Sequence, residues 1–485
     1  MSTHTLEEVL HPQSIAVVGA SDSPTGRGYG FLAPLLEFGF KGEIYPVNPK
    51  YSEILGLKTY PRVKDIPGSV DFVISAVPSS AVLEMLEDCS QKGVKGIHLY
   101  TARFSETGRP DAVKLEQEIL KKVKQAGIRM IGPNCLGVYY PKQGISFEMS
   151  FPKEPGSIGL ISQTGGGARS FIPSASKRGI RFSKAISYGN AIDFNESDYL
   201  DYLSKDPETK LILMYIEGVK DGKRFLSTLR QATPIKPVII IKGGRGESGT
   251  RAVASHTASL AGSMQIWETA VTQAGAISAR SFDEMADLAV SFSFLPPIKG
   301  RNVGVAGGAG GASVLAADLC EEAGLDIIPL PTEIREELKS KDIPIWDWIG
   351  NPADTSISIG DFRFTPALML QIMAKNKNFD LLLSIMGTGI ARRQGQPEVS
   401  VDEYLAQFKQ ISDSKSLLAV VGESNLGAES NLGIDDYDEW KKMCEVITKL
   451  IDLKIPVYPS VGRAARAASK MISYYEKRDK QQSST

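Results

Sequence analysis

The chain has 485 residues, 42% of them hydrophobic and 23% charged, the balance of a globular protein with sizeable cores. Its 55 basic and 56 acidic residues leave a net charge of −1, so no global field recruits nucleic acid or an anionic membrane. The longest apolar stretches, such as Val238-Ile239-Ile240-Ile241, hold only a few residues, against the roughly 20 that a transmembrane helix needs.

At roughly 150 residues per domain, about three domains are expected. β-branched apolar runs alternate with amphipathic stretches throughout, the pattern of βαβ units around parallel sheets. Five strands are predicted in the first third: Ser14-Ile15-Ala16-Val17-Val18-Gly19, Glu43-Ile44-Tyr45-Pro46-Val47, 71–77, 96–100 and 128–131. A helix between them spans 80–92, with Val82, Leu83, Leu86 and Cys89 on one face and Gly93 after its end. A linker rich in Pro and Gly, 141–156, precedes a second set of strands at 157–161, 182–186, 211–215 and 237–241. Leu295-Pro296-Pro297 opens a third set at 302–306, 380–384 and 417–421. The predicted architecture is α/β: a Rossmann domain over 1–145, a second domain over 146–296, a third over 297–475, and a frayed polar tail over 476–485.

Each domain opens with a strand that runs into a turn of small residues, the place where open parallel sheets bind ligands. In the first, Gly19-Ala20-Ser21-Asp22-Ser23-Pro24-Thr25-Gly26-Arg27-Gly28 lacks the GxGxxG spacing, so an ordinary dinucleotide fingerprint is not supported. A phosphate loop and a tight βα connection both stay open there. Lys50, after the second strand, is within reach of the same phosphates, and Pro78 turns the chain after the third. The second domain offers Ser162-Gln163-Thr164-Gly165-Gly166-Gly167. Successive free amides at a helix start form an anion site, and the Ser162 and Thr164 hydroxyls add donors. The third, Ala306-Gly307-Gly308-Ala309-Gly310-Gly311-Ala312, makes a weaker case. Gly244-Arg245-Gly246-Glu247-Ser248-Gly249 matches GxGxxG literally, but no helix is expected directly on it and Glu268 does not end a strand, so the dinucleotide reading is rejected.

Histidine is scarce (His4, His11, His98, His256), and the four cysteines stand at least 46 positions apart with no CxxC. Neither a zinc knuckle nor a disulfide scaffold is expected, and the N-terminal MSTHTLEEVLHPQ lacks the regions of a secretory signal, so the chain is expected to be cytoplasmic. A lone His among small residues is usually structural or merely exposed. His256, in Thr250-Arg251-Ala252-Val253-Ala254-Ser255-His256-Thr257-Ala258, has little bulk around it. A nucleophilic imidazole needs such access and a carboxylate to hold its tautomer. Glu217, ending the 211–215 strand, is a candidate for that carboxylate. Cys135 reads either as a thiol near a substrate sulfur or as a small core residue.

Taken together, these residues resemble the α subunit of the nucleoside-diphosphate-forming acyl-CoA synthetases, the ADP-forming acetate–CoA ligase type, relatives of succinyl-CoA synthetase. The resemblance covers the chain to about residue 470. It is carried by Ser255-His256-Thr257-Ala258-Ser259-Leu260-Ala261-Gly262, like the family's phosphohistidine loop, and by Gly132-Pro133-Asn134-Cys135-Leu136-Gly137. Ile161-Ser162-Gln163-Thr164-Gly165 and Gly350-Asn351-Pro352-Ala353-Asp354 add to it. It implies a CoA-binding Rossmann domain followed by two flavodoxin-like succinyl-CoA-synthetase-type domains. By position, Gly19, Ser21, Lys50, Val77, Pro78 and Thr101 would bind CoA. Ser162, Thr164, Gly165 and Gly166 would hold phosphate, His256 would be phosphorylated with Glu217 steadying it, and Asn134 and Cys135 become substrate-site candidates. Tyr100-Thr101-Ala102-Arg103 replaces the family's usual glycine-bearing stretch. The resemblance also implies an ATP-grasp β subunit in an α2β2 complex, with ADP or ATP and Mg²⁺ on that partner and no metal on this chain. A non-catalytic CoA-sensing scaffold and a dinucleotide-dependent oxidoreductase are the competing expectations.

Overall fold

The computed structural model describes residues 4–251, 263–356, 358–359, 362–386, 401–421 and 434–483. The chain divides into two units, Met1–Met285 and Ala286–Thr485.

The first unit holds two sheets. In one, five parallel strands lie in the order Glu43–Val47, Ser14–Val18, Phe72–Ser75, Gly96–Leu99, Arg129–Ile131. Every residue of Ser14–Val18, Phe72–Ser75 and Gly96–Leu99 is buried. Both faces are therefore covered, which is why these strands read as apolar runs rather than alternations. Helix Val82–Lys92 packs Val82, Leu86 and Cys89 onto that core and ends at Gly93, whose φ of 69° is the left-handed stop that glycine accommodates. In the other sheet the order is Ile277–Ala279, Val238–Lys242, Leu211–Ile216, Ile158–Ser162, Phe182–Ser187, Gly137–Tyr139, all parallel except the last. The two short strands at its edges were not anticipated, because three residues carry no readable period. Gly137–Tyr139 falls within the expected first domain yet bonds into the second sheet, so the chain crosses before the Pro- and Gly-rich 141–156 segment.

In both sheets the first of the parallel strands sits between the next two parallel strands of the chain, so successive connections leave in opposite directions. A crevice opens at such a switch point, outside the carboxyl ends of the strands. It lies between Ser14–Val18 and Phe72–Ser75 in one sheet and between Ile158–Ser162 and Leu211–Ile216 in the other. Near the edge of the second sheet, the fully buried Lys184 ammonium bonds Asp206 at 2.9 Å and Glu208 at 2.7 Å and lies 4.3 Å from the Tyr140 ring centroid. Burial raises the Glu208 carboxyl, but hydrogen bonds from Lys142, Lys184 and Tyr140 outweigh it and bring it down to about 2.

The second unit carries four parallel strands in the order Val303–Gly307, Leu381–Met386, Leu417–Val421, Val457–Tyr458, over a core that includes Leu338, Met373, Phe379, Phe408 and Leu450. Asn351 borders the first of these strands: its Oδ1 accepts from Val305 N at 2.9 Å and its Nδ2 donates to the Val303 and Ile328 carbonyls at 2.9 and 3.0 Å. The Gly-Asn-Pro motif is thus a stitch along a sheet edge. The expected frayed tail is instead part of helix Val461–Ser483. Glu, Lys, Arg and Gln are good helix formers, and Arg301 anchors Glu476 at 2.8 Å. Among the described residues, no helix is long and apolar enough to cross a membrane.

Candidate functional site

The first crevice is built by glycines. Gly19 ends Ser14–Val18 with φ +85°, and a Cβ there would stand 3.3 Å from the Ala76 carbonyl carbon. A Cβ on Gly28 would meet the Gly19 carbonyl at 2.0 Å, so the loop folds back on its own start. Asn48 ties the second strand's end to this loop by donating from Nδ2 to the Ala20 carbonyl at 2.8 Å, and its Oδ1 accepts from Lys50 N at 3.0 Å. Lys50 itself is exposed. The Ser21 Oγ accepts from Ser23 N at 3.1 Å. Across the crevice, Thr101 Oγ1 donates to the Val77 carbonyl at 2.5 Å, and Pro78 caps the short 3₁₀ turn Ser79–Ala81. Gly19, Ser21, Lys50, Val77, Pro78 and Thr101 therefore stand at the carboxyl ends of four strands of one sheet. The Thr101 hydroxyl shapes the Val77 turn.

The segment 132–137 joins the two sheets. Asn134, with φ 59°, donates from its backbone to the Thr101 carbonyl at 3.0 Å and from Nδ2 to Asn190 Oδ1 at 3.3 Å. Asn190 Nδ2 in turn donates to Glu106 Oε2 at 2.7 Å and Glu116 Oε2 at 2.9 Å. The half-buried Asn134 amide thus sits between the Thr101 turn and the second domain. Cys135 has a different place. Its side chain is buried, burial pushes its thiol well above the ordinary range, and its backbone carbonyl bonds His98 Nε2 at 3.0 Å. Of the two roles open to Cys135, this burial supports the small core residue. His98 beneath it is neutral as well, lowered to about 4 by burial against the pull of the Cys135 carbonyl.

In the second crevice, Thr164 is the N-cap of helix Gly165–Ser176, its side chain accepting from Gly167 N at 3.4 Å. The Ser162 hydroxyl donates to the Thr164 carbonyl at 2.7 Å. Both hydroxyls, expected as anion donors, thus shape the turn, and the first-turn amides of Gly165 and Gly166 are those without intrahelical partners. A Cβ would lie 2.9 Å from Leu136 Cγ at Gly165 and 2.4 Å from Thr164 Cγ2 at Gly167, whereas at Gly166 nothing stands within 4 Å. Close packing demands the outer two glycines, and the middle one faces open space.

Glu217 faces this turn from the end of Leu211–Ile216 and is 6% exposed. Its amide and that of Gly218 donate to Gln163 Oε1 at 2.8 and 3.0 Å. Its carbonyl accepts from Lys242 Nζ at 2.6 Å, and its Oε1 accepts from the Tyr215 hydroxyl at 3.4 Å. Tyr215 stacks on Phe282 with centroids 5.4 Å apart. Burial, with Glu217's charge and hydrogen bond added, pushes Tyr215 up to about 12; burial lowers Lys242. Sequence reasoning gave neither Gln163 nor Lys242 a role, and the one signal for Lys242 is a charged residue closing an apolar strand. His256 lies outside the described residues, with the rest of 252–262. Just before it, 247–251 is helical, so a helix does open on the 244–249 loop, contrary to expectation. Glu268 there pairs with Arg245 at 2.9 Å. Among the described residues, no group of three or more His, Cys, Asp or Glu comes together to hold a metal.

Residues 13–141 match the family described as CoA binding domain, and 155–292 the family described as succinyl-CoA ligase like flavodoxin domain. A CoA-binding domain joined to such a ligase domain defines an acid–thiol ligase. Over 417 residues the chain is 37% identical to the ADP-forming acetate–CoA ligase II subunit alpha of Pyrococcus furiosus, a match covering 86% of this chain and 89% of that protein. It is 40% identical over 360 residues to the ADP-forming acetate–CoA ligase of Methanocaldococcus jannaschii, covering 74% of this chain and 50% of that longer protein. The dinucleotide forming acetyl-coenzyme A synthetase 1 of Candidatus Korarchaeum cryptofilum, solved with phosphate and ADP, has a TM-score of 0.82 at 32% identity over 99% of this chain and 98% of that one. The chain belongs to the α subunits of the ADP-forming acetate–CoA ligases.

Proposed function

We propose that the chain is the α subunit of a reversible ADP-forming acyl-CoA synthetase, converting acyl-CoA, ADP and phosphate to a carboxylic acid, CoA and ATP. The observation that supports this best is a pair of switch-point crevices in one unit, bridged by the 132–137 segment. CoA lies along Gly19, Ser21, Lys50, Val77, Pro78 and Thr101, with its thioester toward Asn134. Phosphate held by the Gly165 and Gly166 amides attacks the thioester carbonyl; the C–S bond breaks, and an acyl phosphate and CoA form. A His256 ring nitrogen then attacks phosphorus, the carboxylate leaves, and Glu217 accepts the proton-bearing edge of the imidazole. The helix start neutralises the phosphoryl oxygens throughout, and dividing the reaction lowers each barrier.

The phosphoryl group then passes to ADP on an ATP-grasp β subunit in an α2β2 complex. A partner is supported by the P. furiosus relative, which is named a subunit alpha and is matched over 89% of its length. Mg²⁺ would accompany the nucleotide on that partner. Four free cysteines agree with a reducing, cytoplasmic setting. With the partner present, sustained release of free CoA from a short acyl-CoA should require both ADP and phosphate, phosphate alone supporting a single turnover, read by a thiol assay. Release indifferent to phosphate, or thermal protection by NAD rather than CoA, would contradict the proposal.

A further inference from the structure

The turn that carries Glu217 is held from both sides by buried side chains for which the phosphoryl chemistry has no direct use. From one flanking strand end, Gln163 Oε1 accepts two successive amides, Glu217 N at 2.8 Å and Gly218 N at 3.0 Å. From the other, Lys242 Nζ donates to the Glu217 carbonyl and the Gly243 carbonyl, each at 2.6 Å. Gln163 is 5% exposed and Lys242 7%. We propose that Gln163 and Lys242 are positioning residues that fix the Glu217 carboxylate for phosphoryl transfer, an inference that rests on Glu217 steadying His256.

Two physical arguments carry it. A buried ammonium is costly, and an aliphatic residue would extend the Val238-Ile239-Ile240-Ile241 run at no such cost. Lys242 instead ties together the turns that follow two adjacent strands. Successive amides also form a nest that attracts anions. The neutral Gln163 oxygen fills the nest at Glu217 and Gly218, which leaves the Gly165–Gly166 amides as the anion site and keeps phosphate from pairing beside the carboxylate. The third side is closed as well. A Cβ on Gly243 would meet the Tyr215 hydroxyl at 2.7 Å and Glu217 Cγ at 3.2 Å.

The test uses the chain with its ATP-grasp partner and follows phosphohistidine formation from acyl-CoA and phosphate, alongside CoA affinity by calorimetry. Gln163→Met and Lys242→Met, close to the native lengths, should each slow phosphorylation about 10- to 100-fold with CoA affinity unchanged. Combined with Glu217→Gln, neither should add to the loss that Glu217→Gln causes alone. Gln163→Asn and Lys242→Arg keep the polar group at an altered reach and should fall between wild type and the Met variants; they decide the matter if a Met variant fails to fold. A slow Glu217→Gln beside wild-type rates in the Gln163 and Lys242 variants would overturn the inference alone. Losses that multiply in the double variants would overturn it too, since the residues would then act through the fold. A wild-type rate for Glu217→Gln would remove the role of Glu217, and the inference with it.

Discussion

Gly166 separates function from stability more cleanly than any other position in the second crevice. Nothing lies within 4 Å of where its Cβ would stand, so the fold does not require glycine there. Gly166→Ala should keep or raise the thermal midpoint, by up to ~1 kcal/mol of helix propensity, while slowing the phosphate-dependent step because the methyl group crowds the anion. A lowered midpoint with unchanged turnover would contradict the assignment. Cys135 allows an inexpensive test. Cys89, Cys135 and Cys320 are buried and Cys444 is half-buried, so a native-state alkylating reagent should modify Cys444 first and Cys135 only on unfolding. Fast Cys135 labelling that CoA blocks would return the thiol to the substrate site. At this scale the sequence showed the glycine turns, because a strand running into small residues has few other uses. It did not show Gln163 or Lys242, whose partners are backbone groups on neighbouring strand ends and leave no local pattern.

The strands were legible where burial on both faces produced apolar runs of four or more residues, as at Phe72–Ser75 and Leu417–Val421. Gly137–Tyr139, Ile277–Ala279 and Val457–Tyr458 were not, since two or three residues carry no period, whereas the equally short edge strand Arg129–Ile131 was read from the cluster Ile128, Met130 and Ile131. The polar end of Val461–Ser483 was misread for the opposite reason: its charges face partners such as Arg301 rather than marking a fray. Element packing also sets a pH dependence. Lys184, Asp206 and Glu208 lock strand Phe182–Ser187 to the turn before Leu211–Ile216. Lys184→Met strands two carboxylates and should cost about 3–5 kcal/mol by denaturant unfolding; a loss under 1 kcal/mol would mean that water enters the cluster. The Glu208 carboxyl is depressed from 4.5 to about 2 in the fold, so its stabilisation is present above pH 4.5 and is lost as pH falls toward 2. The gap in midpoint between wild type and Glu208→Gln should shrink across that window. A gap independent of pH would refute the charge assignment.

For the molecule as a whole, the order of domains and the two switch-point crevices follow from the alternation of strands and helices, which the sequence displays along most of its length. The site was legible in part. The Ser162–Gly167 turn and Glu217 are read from strand ends, whereas His256 is known only from its sequence surroundings, since 252–262 lies outside the described residues. The proposed phosphoryl transfer therefore stands on the chemistry of that residue. The most direct measurement is intact-mass and peptide mass spectrometry, at neutral to mildly alkaline pH because phosphohistidine is acid-labile. The chain would be incubated with phosphate and a panel of short acyl-CoAs, with and without the ATP-grasp partner, beside His256→Asn. A phosphoryl adduct on His256 that requires acyl-CoA and is absent from His256→Asn is the predicted result, and its acyl dependence would name the substrate. CoA binding and an active partner without any adduct would contradict the account and leave a CoA-sensing scaffold.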